Sequence, residues 1–177
     1  RDSLFGGSGL LSHITKSLKP HSTVIYNDFD NYRFRMKHIP QTNQLLADIR
    51  EMVGNSVPRH KIIKGELRER IFSRIEQEEN STGYVDFITL SSSILFSMKY
   101  KLSVQDMRKE ALYNNIRKTG YPECTDYLEG LEIVSCDYKE VFNRYKDIPG
   151  VVFLVDPPYL STDVAVSYTH LRAHETG

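Results

Sequence analysis

The chain has 177 residues, 40% of them hydrophobic, and its 23 basic side chains are matched by 23 acidic ones. That length and composition fit one globular domain and exclude collagen-like, disordered and disulfide-scaffold classes, while zero formal net charge means that any nucleic-acid contact must come from local patches. Two cysteines without CxxC spacing, no apolar run of membrane-spanning length and no signal-peptide pattern suit a reducing cytoplasm, with no zinc site and no membrane.

In chain order, Phe5-Gly6-Gly7-Ser8-Gly9 followed by Leu10-Leu11 predicts a tight loop opening a helix, with glycines that let backbone approach a ligand. Alone, such a loop would serve a dinucleotide or merely turn the chain. Thr23 to Tyr26 reads as a strand ending at Asn27-Asp28. An acid roughly 20 residues after a glycine loop is where nucleoside-binding α/β folds place the carboxylate for ribose hydroxyls. Asp28 takes that role, Asp30 competes with it, and a solvated loop acid is the plainer reading. Pro40 to Asn55 predicts a helix with Leu45, Leu46, Ile49, Met52 and Val53 on its apolar stripe.

From Val57 to Asn80 the pattern predicts an amphipathic basic helix carrying Arg59, Lys61, Lys64, Arg68, Arg70 and Arg74, turning acidic at Glu76, Glu78 and Glu79. Its charges read either as a solvated face or as a phosphate-contacting surface. Thr82 to Tyr100 predicts a further helix. In the segment Met107 to Tyr121, the residues Tyr113, Asn114, Asn115, Arg117 and Lys118 interleave aromatic, amide and basic groups. They suit base-edge, stacking and phosphate contacts, and equally any surface loop.

Leu131 to Cys136 predicts a second apolar strand, ending at Asp137-Tyr138, with a short helix over Lys139 to Tyr145. Val151 to Val155 predicts a buried parallel strand that runs into Asp156-Pro157-Pro158-Tyr159. Two prolines fix φ and leave the carbonyls of Asp156 and Pro157 free to accept hydrogen bonds. A carboxylate and a carbonyl can together take both hydrogens of a planar exocyclic amine while the Tyr159 ring stacks on the base. From average residue usage this tetrapeptide arises by accident on the order of once in a thousand chains of this length.

The Asp-Pro-Pro-Tyr motif after a strand, together with Phe5-Gly6-Gly7-Ser8-Gly9, resembles the amino-group (N6-adenine) DNA methyltransferases, in particular their Dam-type, D12-class branch of bacteria and phages. The resemblance covers roughly Asp2 to Val164. It implies a Rossmann-like α/β sheet that binds S-adenosylmethionine (SAM), interrupted by a helical insertion that recognises double-stranded DNA. It assigns Phe5, Gly6, Gly7 and Gly9 to the amino-acid portion of the cofactor and Asp137 to its adenine amino group. An N-cap for the following helix is an equally physical role for Asp137. The catalytic set it implies is Asp156, Pro157, Pro158 and Tyr159, acting on an adenine flipped out of the duplex. The family's acid two positions before the Phe is replaced here by Ser3, with Asp2 one earlier.

The expected organisation is 1–56 as the SAM-binding part, 57–127 as the helical insertion with DNA contacts at Arg59, Lys61 and the Tyr113–Lys118 residues, and 128–164 as the part bearing the motif. The stretch 165–177 reads as a non-native tail, because Val166 to Thr176 resembles a translated sequencing-adapter peptide. Its plainer reading is a helix with His170 and His174 at i, i+4, which lacks a third metal ligand. The chain opens at the glycine motif, so the sheet is expected to lack its first strand. A monomer is expected, and the resemblance leaves room for a cognate restriction endonuclease. N4-cytosine methylation and an inactive or DNA-binding remnant are the alternative readings.

Overall fold

The computed structural model describes residues 9–96, 99–123 and 126–154. Its elements run α1 (Leu10–Leu18), β1 (Ile25–Asn27), α2 (Tyr32–Lys37), α3 (Ile39–Val53), β2 (Ile62–Ile63), α4 (Gly65–Thr82), α5 (Phe87–Ile94), α6 (Val104–Arg108), β3 (Leu112–Tyr113), β4 (Glu132–Val134) and α7 (Tyr138–Tyr145). The architecture is mixed α/β, with two two-stranded sheets among the described residues. No described helix is long and apolar enough to cross a membrane. Two compact units result, one drawn from the stretches 1–33 and 126–177, the other being Phe34–Thr125.

In the first unit β1 pairs with β4 in parallel, in the register Ile25↔Glu132, Tyr26↔Ile133 and Asn27↔Val134. All three residues of β1 are buried, as expected of a strand without a solvent face. The strands therefore fall where the sequence predicts them, at Thr23–Tyr26 and Leu131–Cys136, to within one or two residues. The strand expected from Val151 does not form over 151–153, and Leu154 makes a single β-bridge. Apolar, β-branched composition makes a segment fit for a strand, but a strand exists only where a neighbour accepts and donates along it. Asp156, Pro157, Pro158 and Tyr159 lie outside the described residues, as do Phe5, Gly6 and Gly7.

The second unit is built on α3 and α4. Leu45, Leu46, Ile49 and Val53 of α3 meet Ile71, Phe72 and Ile75 of α4, and α5, α6 and β3 close the same core. Phe72 is fully buried, with the guanidinium groups of Arg68 and Arg108 at 4.6 and 4.5 Å from its ring centre. Burying such a ring contributes roughly 1.5–3 kcal/mol, and each flanking cation adds to it.

The helix expected over Val57 to Asn80 is shorter at its start. Residues 57–64 are not helical, and β2 pairs antiparallel with β3 as Ile62↔Tyr113 and Ile63↔Leu112. Pro58 removes a donor, and the neighbouring backbone finds partners across the sheet, with the His60 N–H on the Asn114 carbonyl at 2.9 Å and the Asn114 N–H on the Lys61 carbonyl at 2.9 Å. The burial period accordingly changes to two: Ile63 is buried and Ile62 is exposed.

The helix expected over Thr82 to Tyr100 is likewise corrected. Gly83, at φ +74°, ends α4 in the left-handed conformation that glycine adopts without strain. Asp86 then caps α5 by accepting from the Thr89 N–H at 3.0 Å, and at Leu95 the backbone turns extended. The basic stripe on α4 is largely paired. Arg74 meets Asp48 and Glu78 at 2.9 and 2.8 Å, and Arg108 of α6 meets Glu69 and Glu76 at 2.7 and 3.0 Å. Hydrogen bonds from Arg108 and then Arg68 hold the Glu69 carboxyl below the usual range.

Candidate cofactor site

Three of the residues singled out from the sequence, Gly9, Asp28 and Asp137, are described, and all three belong to the first unit. Gly9 caps the start of α1 at φ +70°. A Cβ there would stand 3.0 Å from Leu128 Cδ2 and 3.4 Å from Tyr26 Cζ, so this position takes glycine for both conformation and space. The predicted loop-to-helix turn is therefore present at its last glycine.

Tyr26 links that turn to the acid. Its ring is fully buried against Gly9, and its hydroxyl donates to Asp28 Oδ1 at 3.3 Å. Burial first, and then the charge of Asp28, push the Tyr26 hydroxyl well above its ordinary range, so it stays protonated and remains a donor.

Asp28 is 3% exposed at the carboxyl end of β1. Its Oδ1 also accepts the Tyr32 N–H at 2.6 Å, and its Oδ2 accepts the Arg33 N–H at 2.9 Å, which holds the turn into α2. A carboxylate offers about four lone-pair sites, so three of them are occupied here and Oδ2 retains room for one further hydrogen. Asp28 is thus a structural acceptor as well as a candidate ligand for a single hydroxyl. Asp30, its competitor, is exposed.

Asp137 sits just beyond β4, exposed, and caps α7 by accepting the Lys139 N–H at 2.8 Å. The capping role read from the sequence is present, and it engages only one carboxylate oxygen.

Between these acids lies a pairing that the sequence pattern does not announce. Asn27, 1% exposed, donates from Nδ2 to the Cys136 carbonyl at 2.9 Å and accepts the Cys136 N–H at Oδ1 at 3.1 Å. An Asn at the end of an apolar strand is the one signal for it, because a buried amide needs partners for both of its ends. His13, which no motif singles out, bonds the Tyr127 carbonyl through Nδ1 at 2.8 Å and stacks on the Tyr127 ring at 4.6 Å.

A broad open groove of about 720 Å³ runs past Thr15, Lys19, His21, Thr23 and Val152. Thr23 precedes β1, whereas the acids follow the strands. Five residues of extended chain span about 16 Å, so the groove is not the site assembled around Asp28.

The residues proposed for DNA contact come together on the β2–β3 sheet of the second unit. Arg59 donates to the Ile116 carbonyl at 2.7 Å, Asn114 to the Val57 carbonyl at 2.7 Å, and Asn115 to the Leu95 carbonyl at 3.2 Å. Arg117 stacks over the Tyr121 ring at 4.4 Å, and Tyr113 meets Phe96 at 5.7 Å. Two segments some fifty residues apart in sequence are thus brought side by side. Both amides also serve the fold, while Lys61 and Lys118 are exposed. Among the described residues no group of three His, Cys, Asp or Glu side chains is placed to hold a metal ion.

No family model matches the chain, and no solved structure matches it. It is similar to a Haemophilus influenzae protein named "Putative methyltransferase", with 39% identity over 159 residues, which is 90% of this chain and 53% of that protein. The chain thus spans about half the length of the relative it matches. The structure itself is mixed α/β, with one parallel strand pair among the described residues.

Proposed function

We propose that the protein is a SAM-dependent DNA methyltransferase acting on N6 of adenine, with a Rossmann-like sheet to which the β1–β4 pair belongs. The observation that carries this reading is the pair of acids, Asp28 and Asp137, that follow two adjacent parallel strands, with the Gly9 turn packed on Tyr26 of the first. Nucleosides are held beyond the carboxyl ends of parallel strands by this kind of arrangement. The likeness to the Haemophilus protein adds support for methyl transfer, and the Asp156–Tyr159 motif for an amine acceptor.

The acids have capacity for the cofactor: Asp28 Oδ2 can accept one ribose hydroxyl, and Asp137 has an oxygen outside its cap bond. SAM supplies, when bound, an electrophilic methyl group. The chain's own share of the chemistry is alignment and charge. Asp156 and the Pro157 carbonyl accept the two N6 hydrogens, which localises the nitrogen lone pair and stabilises the amine as positive charge develops on it. Tyr159 stacks on the extruded base. The side chains of Arg59, Lys61, Arg117 and Lys118 contact phosphates of double-stranded DNA.

The test is transfer of radiolabelled methyl from SAM to unmethylated DNA by the native chain and by Asp156→Ala, followed by nucleoside analysis. Label in N6-methyladenine that disappears in Asp156→Ala supports the reading. Label in N4-methylcytosine replaces it with cytosine chemistry. A SAM-binding chain that labels no DNA removes DNA as the substrate.

A further inference from the structure

The two acids of the candidate site are each joined to one half of a single pairing. Asp28 follows Asn27 and Asp137 follows Cys136, and Asn27 and Cys136 are bonded to each other twice, at 2.9 and 3.1 Å. The backbone ladder of β1 and β4 ends just before this point, with the register pair Asn27↔Val134 and the Asp28 N–H on the Val134 carbonyl at 2.7 Å. The register ends there, β1 leading on to α2 and β4 to α7, and the Asn27 amide bonds Cys136 two residues farther along. Its orientation is fixed by chemistry, because Cys136 presents one N–H and one carbonyl, which the amide oxygen and nitrogen meet in turn.

We propose that Asn27 is a positioning residue for the cofactor, setting the separation of Asp28 and Asp137 so that one nucleoside can reach both. This inference rests on the SAM-binding reading above. The buried amide of Asn27 meets the N–H and the carbonyl of Cys136 together, and in doing so it joins the two strand ends from which the acids leave. Its presence between the two acids is accounted for by what it holds in place. Asn27 itself is 1% exposed and touches backbone, so its influence on a ligand travels through Asp137.

The experiment is a double-mutant cycle read as SAM affinity, by calorimetry on the full 177-residue chain. Asn27→Ala and Asp137→Ala are compared singly and together, at a temperature where circular dichroism shows each variant folded. The expected result is that each single change weakens SAM binding about tenfold, and that the double variant is weakened by about the same factor rather than by their product. A role confined to stability would lower the melting temperature of Asn27→Ala and leave its affinity unchanged below the transition. Should Asn27→Ala not fold, Asn27→Ser keeps a hydroxyl at the position and carries the same cycle with a smaller expected effect. Unchanged affinity in a folded Asn27 variant, or effects that multiply in the double variant, overturns the proposal while leaving the SAM-binding reading intact. Absence of SAM binding by the native chain overturns both.

Discussion

Replacing Asp28 by alanine separates two roles that the carboxylate holds at once. In the native chain it accepts N–H groups from Tyr32 and Arg33 at 2.6 and 2.9 Å and the Tyr26 hydroxyl at 3.3 Å. Hydrogen bonds to a charged acceptor contribute about 1.5–3 kcal/mol each, but Arg33 is exposed and its freed N–H can turn to water. Loss of a capping acid costs about 0.5–2 kcal/mol, so the net local cost is about 2 kcal/mol. That corresponds to about 30-fold faster exchange of the Tyr32 and Arg33 amides, since about 1.4 kcal/mol is a factor of ten. Hydrogen exchange resolved at those amides measures it directly. A second reading on the same sample adds SAM at about 100 times its dissociation constant, which stabilises a binding-competent chain by about 2.7 kcal/mol. If Asp28 holds the ribose, that increment is lost in Asp28→Ala in addition to the structural cost. Unchanged exchange at Tyr32 and Arg33 would refute the capping argument. A retained SAM increment would transfer the ribose role to Asp30.

Three further outcomes follow from the second unit. A Cβ on Gly120 would stand 2.9 Å from Asn43 Cγ, and the Asn43 amide exchanges hydrogen bonds of 2.8 and 2.7 Å with the backbone of Tyr121, so Gly120→Ala is expected to cost about 1–3 kcal/mol in chemical denaturation. Tyr84 is pushed up to about 12 by burial and by the charge of Asp86, so the folded state holds its proton more tightly than the unfolded one. Its contribution is whole below pH 10 and is lost between pH 10 and about 12; stability measured against pH should fall less steeply over that window in Tyr84→Phe. Removing Lys61 and Lys118 together should weaken DNA binding across sequences and reduce the salt slope by about 0.9 for each phosphate no longer neutralised, whereas an unchanged slope would take both lysines off the DNA.

Local pattern accounts for much of the structure. The apolar spacing at Leu45, Leu46, Ile49 and Val53 marks α3, and the short run from Thr23 to Tyr26 ahead of Asn27-Asp28 marks β1, because each of these segments states its period within its own length. The failures occur where partners are distant. Ile62 and Ile63 look like the start of α4 until Leu112 and Tyr113 are brought beside them, and no local feature announces that pairing. The end of α4 is legible locally, expected at Asn80 and found at Thr82, whereas the next helix starts only at Phe87, after the Gly83 stop and the Asp86 cap, rather than at Thr82. Around the two acids, their places at the strand ends are readable from the sequence, whereas the bonds between Asn27 and Cys136 are not. Asn27 lies 109 residues from Cys136, and Asn43 lies 78 from Tyr121.

Those two asparagines use the same device in separate units. Each side chain donates to and accepts from the backbone of one distant residue, Cys136 for Asn27 and Tyr121 for Asn43. In the second unit the amide ties α3 to the segment after β3, which carries Arg117 and Lys118. In the first it ties the ends of the parallel strands, which carry Asp28 and Asp137. An amide is suited to both tasks because it offers a donor and an acceptor on one rigid plane, so it fixes a distance and an orientation together. Aspartate in its place would keep the shape and lose the donor, leaving a buried charge against a carbonyl. The expected consequence differs between the units. At Asn43 the loss loosens the segment that carries Arg117 and Lys118 and is felt in DNA affinity, whereas at Asn27 it moves one acid relative to the other and is felt in SAM affinity. Measuring both ligands on both variants tests whether the two units divide the labour of one reaction: exchange of the two effects, or their appearance together in each variant, would show that they do not.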